Sequence, residues 1–271
     1  MGVRRRRPGN AAAGRRLIAE GVVKFRVKAF AVHLASSAGV LALILGGLYL
    51  GWYRWPGWYV TDFVHVMAIL VGVDLTLGPL FTLLIANPNK PRRELARDIG
   101  VIVAVQLVAL VYGSGTLWGG RPLYYAFSAH EVEMVAASQV PPSEVARSRQ
   151  QNPELAPHWY SLPRWVWAAL PANPTERDRI ATRSEKIDIT QMPSYFKPLA
   201  QGGAELRAQL KKVDDFFIFT REEKRTLKER MARQGLATDV PDALYLIGRD
   251  RPVLAVFDPD TLRVTALIRA N

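Results

Sequence analysis

Cysteine is absent from this chain of 271 residues. Its absence excludes disulfides, thiol nucleophiles and thiolate metal sites. Histidine is scarce too, and the four histidines have no spacing that would place two of them on one helical turn. The sequence also lacks a glycine-rich phosphate loop, a nucleophile elbow and an HExxH motif. It therefore predicts a protein that is not an enzyme and that uses no cofactor and no metal.

Charge and hydrophobicity divide the chain into two halves. Residues 1–120 carry 14 Lys/Arg and 5 Asp/Glu, whereas residues 121–271 carry 22 and 19, so most of the net charge of +12 belongs to the first half. The first half also contains the long apolar runs. A basic, apolar half followed by a charge-balanced half indicates a membrane anchor and a soluble domain, and it argues against a nucleic-acid-binding protein.

Three long runs in the first half are almost free of formal charge. They contain 25, 27 and 22 residues, and the only charged residue among them is Asp74. Because a helix needs about 20 mainly apolar residues to cross a bilayer, we predict transmembrane helices over about residues 29–53, 63–86 and 99–118. The first run is too long for the apolar region of a signal peptide and lacks a small-residue cleavage site. We therefore expect an uncleaved anchor.

Lysine and arginine flank these helices unevenly. Nine lie in residues 1–28 and four in the loop 87–98, whereas the loop between the first two helices has only Arg54. The positive-inside rule places the N-terminus and the second loop in the cytoplasm and residues 121–271 on the opposite side. Residues 1–28 are thus a basic cytoplasmic tail, and we expect its first 20 residues to be disordered. Aromatic residues are predicted to lie at the outer membrane interface, namely Trp52, Tyr53, Trp55, Trp58, Tyr59 and Trp118.

The second predicted span contains the most informative segment, VGVDLTLGPLFTLL, with Asp74 near its midpoint. An ionised carboxylate there costs about 3 kcal/mol on insertion scales, so the side chain should face other helices and find a partner or a proton. Gly78 permits a close approach on the same face, and Pro79 removes a backbone donor and predicts a kink. Two interpretations remain open: a protonated Asp74 bonded to Gln106 or Thr76 within the chain, or a partner-binding site formed by these five residues.

Small residues recur at helical spacing in two of the spans. The first span has Ala35, Gly39, Ala42 and Gly46, and the third has Ala109 and Gly113 on the same face as Gln106. Small residues at such spacings let helices approach closely. Packing within the chain's own bundle of three helices is the favoured interpretation. A docking groove for a helix of another protein is the alternative.

Residues 121–271 have the pattern of a folded α+β domain. Strands are predicted around 123–135, and helices near 174–186, 203–213 and 221–234, the last ending at Gly235. Three alternating segments near the C-terminus, ALYLIGR, PVLAVFD and LRVTALIRA, predict a small antiparallel sheet. The aromatic stretch 158–167 is either a binding surface or part of the core, and the usual burial of tryptophan favours the core.

Three segments carry a resemblance to a known family: KFRVKAFAVHLASSA, VGVDLTLGPLFTLLIANPNKPRRELARDIGVIVAVQLVALVYG and RPLYYAF. Together they resemble the type IV pilin accessory proteins (the TfpX/TfpZ family) over about residues 24–127. The motif of the second span, the Asn-Pro-x-Lys loop, the glutamine of the third span and the Arg-Pro before the first strand follow in the family's order.

This resemblance implies an accessory protein of type IV pilus assembly in the bacterial inner membrane, with a periplasmic C-terminal domain. The partners it implies are a type IV pilin, other pilus assembly components and membrane lipid, but no nucleic acid. It also implies roles in fimbrium biogenesis and twitching motility. The alternative is a membrane sensor or a proton- or ion-coupled transport component that uses Asp74. Three spans without internal repeats or a cytoplasmic output domain argue against that alternative.

Overall fold

The computed structural model describes residues 8–128, 131–181, 187–217, 219–236, 243–247, 253–258 and 260–269. The chain divides into two compact units. The first unit comprises Met1–Gly47 and His65–Thr116, and the second comprises Leu48–Val64 and Leu117–Asn271. The first loop of the chain, including its aromatic residues, therefore belongs to the same unit as the C-terminal half.

The first 120 residues form α1 (Pro8–Gly51), α2 (Gly57–Val60), α3 (Phe63–Val71), a π-helical turn (Gly72–Leu77), α4 (Gly78–Ile85) and α5 (Arg92–Gly120). Within the described part of the chain, three helical segments are long and apolar enough to cross a membrane: Ala19–Gly51, Phe63–Ile85 and Arg92–Gly120. The expectation of a multi-pass membrane protein is confirmed. The expectation of disorder over the first 20 residues is wrong from Pro8 onward, because helix-favouring alanine and arginine extend a helix that the apolar span already nucleates.

The second span contains a π-helical turn between α3 and α4. At its end the Gly78 N–H bonds to the carbonyl of Val73, five residues earlier. The turn lies directly before Pro79, which has no N–H to donate. The distortion predicted from this proline thus takes the form of a π-helical turn, a feature that is rare in helices and often occurs at functional sites.

The second unit contains β1 (Pro122–Ser128), β2 (Glu131–Ala136), β3 (Arg164–Ala168), β4 (Phe196–Pro198), β5 (Ala243–Ile247), β6 (Val253–Phe257) and β7 (Val264–Arg269). These described strands form one sheet in the order β4-β3-β1-β2-β5-β6-β7. The pairs β1–β3 and β2–β5 are parallel, and the others are antiparallel. The predicted fold class is confirmed, and the predicted antiparallel pairing of the three C-terminal segments is present as β5, β6 and β7. These strands are part of a larger, mixed sheet that was not predicted.

The helices of the second unit are α6 (Pro142–Gln151), α7 (Pro174–Ala181), α8 (Gly203–Gln209) and α9 (Arg221–Arg233). The last three agree with predicted helices, although residues 182–186 of the first predicted helix lie outside the described residues. Thr220 caps α9 by accepting a hydrogen bond from the Glu223 N–H, and Gly235 after the helix has a positive φ of 73°. The end of α9 before Gly235 agrees with the prediction, and Thr220 adds an N-cap that was not predicted.

Both faces of the sheet are covered. On one face, Tyr125, Phe127 and Phe257 pack with Leu206 of α8 and with Val60 of α2. The opposite face holds two clusters, one around Tyr124 and Val166 and one around Leu254 and Leu227. Alternation along each strand sends neighbouring side chains to opposite faces, so β1 supplies both cores.

The first loop packs on this sheet and is not a free interfacial segment. Tyr53 is 1% exposed, stacks on Phe63 at a ring distance of 4.4 Å and donates its hydroxyl to the carbonyl of Leu117 at 2.6 Å. The Tyr53 side chain therefore packs against protein, and its predicted position at the level of the outer membrane interface stays a prediction. Burial in an apolar environment also raises the pKa of the Tyr53 hydroxyl, because the charged phenolate is disfavoured there.

Candidate functional site

A polar network lies inside the first unit, formed by His33, Asp74, Thr82 and Gln106. The His33 Nδ1 atom is 2.6 Å from Thr82 Oγ1, and its Nε2 atom is 2.7 Å from Gln106 Oε1. The Gln106 amide donates to the backbone carbonyl of Asp74 at 3.1 Å. The network therefore joins α1, the second span and α5 through side chains of all three.

The direction of these hydrogen bonds follows from chemistry. The carbonyl of Asp74 can only accept, so the amide nitrogen of Gln106 must face it. The amide oxygen of Gln106 then faces His33, and that ring nitrogen must carry the proton. Thr82 donates its hydroxyl to a neutral His33, or accepts a hydrogen bond if the ring is doubly protonated. The Nε2–H form of His33 is thus fixed by the neighbouring glutamine.

Gly78 makes this arrangement possible. A Cβ atom at this position would lie 2.0 Å from Gln106 Nε2 and 2.3 Å from Gln106 Cδ, which is far closer than atoms can approach. Gly78 and Pro79 are both buried. The absence of a side chain at residue 78 therefore creates the space that the Gln106 amide fills.

One oxygen atom of the Asp74 side chain, Oδ1, is the unsatisfied atom of the network. Asp74 is 4% exposed, and among the described residues its buried Oδ1 atom has no hydrogen-bond partner. A charged carboxylate without a donor is costly inside a membrane. The site can therefore take a proton, or a donor from outside the chain, at this oxygen.

Four of the five predicted site residues are buried in the structure, namely Asp74, Gly78, Pro79 and Gln106. Thr76 is exposed, so the expectation that Thr76 could satisfy Asp74 within the chain is wrong. The physical reason is that Thr76 lies two residues along a helical segment, where neighbouring positions do not share a face. A role of these five residues in partner binding stays a prediction.

Sequence reasoning missed His33. The spacing of the histidines does not indicate His33, because no second histidine lies within one helical turn of it. A better signal was available, because His33 lies within the first uncharged run and an ionisable residue within a span generally faces the bundle interior. Among the described residues, no group of three or more His, Asp or Glu side chains could hold a metal ion.

The small residues of the two spans differ in their surroundings. On α5, a Cβ at Gly113 would lie 2.6 Å from a methyl carbon of Leu70, so the expected close packing within the bundle is confirmed there. On α1, Ala35, Gly39 and Ala42 are exposed. A Cβ at Gly39 or Gly46 would have no described atom within 4 Å. Packing within the chain's own bundle is therefore the wrong interpretation for the α1 residues.

The second unit has two adjoining clefts beside β7. One, of about 630 Å³, is lined mainly by apolar side chains that include Trp55, Trp165 and Leu267. The other, of about 570 Å³, is lined by Trp55 and three arginines, Arg230, Arg233 and Arg269. The Arg269 guanidinium lies 4.8 Å from the ring of Tyr59 and about 5 Å from those of Trp55 and Trp58. This arrangement attaches the first loop to the edge strand of the sheet.

Comparison with known proteins identifies relatives of one kind. The chain is 25% identical over 203 residues to the fimbrial assembly protein of serogroup I from Dichelobacter nodosus, and 24% identical over 203 residues to that of serogroup E1. Both matches cover 68% of this chain and 77% of the relative. The protein of serogroups C1 and C2 is 27% identical over 116 residues, which are 43% of this chain and 88% of the relative.

No protein-family model and no solved structure matches the chain. The matches to the two longer relatives cover too much of the chain to lie in the apolar spans alone. The chain is therefore a multi-pass membrane protein that is distantly homologous to bacterial fimbrial assembly proteins.

Proposed function

We propose that this chain is a non-enzymatic accessory protein of type IV pilus assembly, which binds pilin subunits in the inner membrane before or during filament assembly. The observation that carries this proposal is the similarity of two thirds of the chain to fimbrial assembly proteins. A pilin awaiting assembly has an apolar helix in the membrane and a globular head outside. The three apolar helices of this chain offer a surface to the pilin helix, and its second unit (the sheet unit) offers a surface to the pilin head.

The exposed small residues of α1 provide the surface for the pilin helix. In the structure, Ala35, Gly39 and Ala42 are exposed, and the space over Gly39 and Gly46 is open among the described residues. Helices in membranes associate where small side chains allow close backbone approach. An apolar helix from a pilin is a suitable occupant, because it requires packing and not charge.

The proposal includes an orientation of the chain across the inner membrane. The Lys/Arg-rich N-terminal segment and second loop lie in the cytoplasm, and the sheet unit lies in the periplasm. In this orientation the sheet unit is on the side where pilin heads are found. Deletion of the gene should then reduce surface pili and twitching while general secretion continues.

The surface on α1 is tested by two glycine substitutions in the full chain. Gly39→Leu fills the exposed stripe, whereas Gly47→Leu adds the same side chain about 80° around the same helix. Both glycines have open space around them, so both variants should accumulate normally in the membrane. We expect Gly39→Leu to reduce surface pili and site-specific crosslinks to pilin, and Gly47→Leu to behave as the wild type.

Two different results would refute the pilin-binding surface on α1 and the proposed function of the protein. Normal piliation by a Gly39→Leu protein of normal abundance would refute the assignment of pilin binding to this stripe. Normal piliation in the deletion strain, for every pilin that the strain encodes, would refute the proposed function itself.

A further inference from the structure

Three large side chains of the second unit are exposed within one short segment, residues 158–162. Trp159 is 71% exposed, Tyr160 58% and Leu162 56%. The expectation that the aromatic stretch 158–167 packs in the core is therefore wrong for Trp159, although Trp165 and Trp167 do pack against the core. An exposed tryptophan, tyrosine and leucine within four residues form an apolar patch of the kind that marks a contact site for a protein or a membrane.

The segment is a rigid turn and not a loose loop. The Ser161 N–H bonds to the carbonyl of His158 at 3.1 Å, and the His158 N–H bonds to the Ser161 hydroxyl at 2.9 Å. The rings of His158 and Tyr160 stack at 5.3 Å. These contacts fix the direction in which the exposed side chains project.

Two further hydrogen bonds fasten this turn to the ends of two membrane-spanning helices. The indole N–H of Trp52 donates to the carbonyl of Ser161 at 2.6 Å, and the Arg121 guanidinium donates to the carbonyl of Trp159 at 3.5 Å. Trp52 directly follows Gly51, the last residue of α1, and Arg121 directly follows Gly120, the last residue of α5. All of these residues belong to the second unit.

The ends of the two helices are themselves joined. The Trp52 and Trp118 rings lie 5.1 Å apart, and the Arg121 guanidinium lies 4.1 Å from the centre of the Trp118 ring and also donates to the Trp118 carbonyl. These contacts hold residues 158–162 beside the last residues of α1 and α5, which is at the level of the membrane surface when the two helices leave the bilayer there. The position follows from the covalent connection and these contacts.

We propose that residues 158–162 form a membrane-interface anchor, in which Trp159, Tyr160 and Leu162 enter the headgroup region of the bilayer at the last residues of α1 and α5. Tryptophan and tyrosine favour this region because each combines an apolar ring with a polar group. Leu162 adds apolar surface that lipid would cover. The anchor gives the second unit a further attachment to the membrane, in addition to its three covalent connections, at Leu48, Val64 and Leu117.

The absence of cysteine allows a direct test with a single introduced cysteine. Leu162→Cys keeps both aromatic rings of the anchor and is labelled with an environment-sensitive fluorophore. Phe217→Cys is the matched control, because Phe217 is an apolar residue of the same unit that is 98% exposed. The purified full chain, without pilin, is placed in nanodiscs of phosphatidylethanolamine and phosphatidylglycerol that contain lipids with a nitroxide near the headgroup.

We expect the nitroxide lipids to quench the label at residue 162 several-fold more than the label at residue 217, and aqueous iodide to show the opposite order. Equal quenching of the two labels by the lipids would overturn the proposal. Protection of residue 162 from iodide without quenching by lipid would also overturn it, since a second copy of the chain would then cover the segment. Protection that arises only when pilin is added would assign the segment to pilin and not to lipid.

Discussion

Substitution of Gly78 by alanine tests how the three membrane helices are joined. The added methyl group would lie 2.0 Å from Gln106 Nε2, 2.3 Å from Cδ and 2.6 Å from Oε1. The Gln106 amide would have to leave this position. It would then lose its hydrogen bonds to the Asp74 carbonyl and to His33, so this network would no longer join α5 to the other two spans.

The size of the effect follows from these contacts. Hydrogen bonds between membrane helices contribute about 0.6 kcal/mol on average and at most about 1.7 kcal/mol each. Forcing an extra methyl group into a packed site costs about 1–3 kcal/mol. Two lost hydrogen bonds and one overpacked site together predict that Gly78→Ala lowers the free energy of unfolding by about 2–4 kcal/mol.

Gly72→Ala is the control, since Gly72 begins the same π-helical turn and a Cβ there would have no described atom within 4 Å. It reproduces the gain in helix propensity on replacing glycine by alanine, which therefore cancels in the comparison. Unfolding of the purified full chain is followed in mixed micelles with increasing sodium dodecyl sulfate. The difference between the two variants gives the cost of the contact.

A double substitution isolates the cause. With Gln106→Ala already present, the space over residue 78 is free, so adding Gly78→Ala should cost little. Two results would refute the reasoning: equal stability of Gly78→Ala and Gly72→Ala, or an undiminished cost of Gly78→Ala in the Gln106→Ala protein.

Two other predictions concern charge and orientation. Because Asp74 is buried in the bundle, Asp74→Asn should accumulate and support piliation as the wild type does, whereas Asp74→Leu, which removes the polar group, should lower protein abundance on immunoblots. Normal abundance of both variants with loss of pili would instead show that Asp74 binds the partner. Alkaline phosphatase fused after Ala126 should be active and green fluorescent protein fused there should be dim, and the reverse result would refute the proposed orientation.

The helices and the sheet differ in how far the sequence predicts them. Each membrane span is a continuous apolar run, so its existence depends on adjacent residues alone, and all three spans were predicted. The pairing of β1 with β3 depends on residues about 40 positions apart, such as Tyr125 and Trp165. Alternation identifies a strand but does not select its neighbour, so the parallel pairs and the mixed sheet could not be predicted. The strand β3 was not predicted, because most of it lies within the aromatic stretch 158–167.

The residues of the polar network also differ in how far the sequence predicts them. Asp74 was found because a carboxylate within an apolar run is conspicuous by itself. His33 was missed because its importance depends on Gln106, a residue 73 positions away that belongs to another span. Spacing along one helix cannot detect a group whose partners lie on two other helices.

The directions of the hydrogen bonds show which atom of the network is still free to bind. The carbonyl of Asp74 orients Gln106, Gln106 requires a proton on His33 Nε2, and Thr82 occupies the remaining ring nitrogen. With all these groups engaged, the unpaired Asp74 Oδ1 is the position in the described network where a proton or an external donor can still be added.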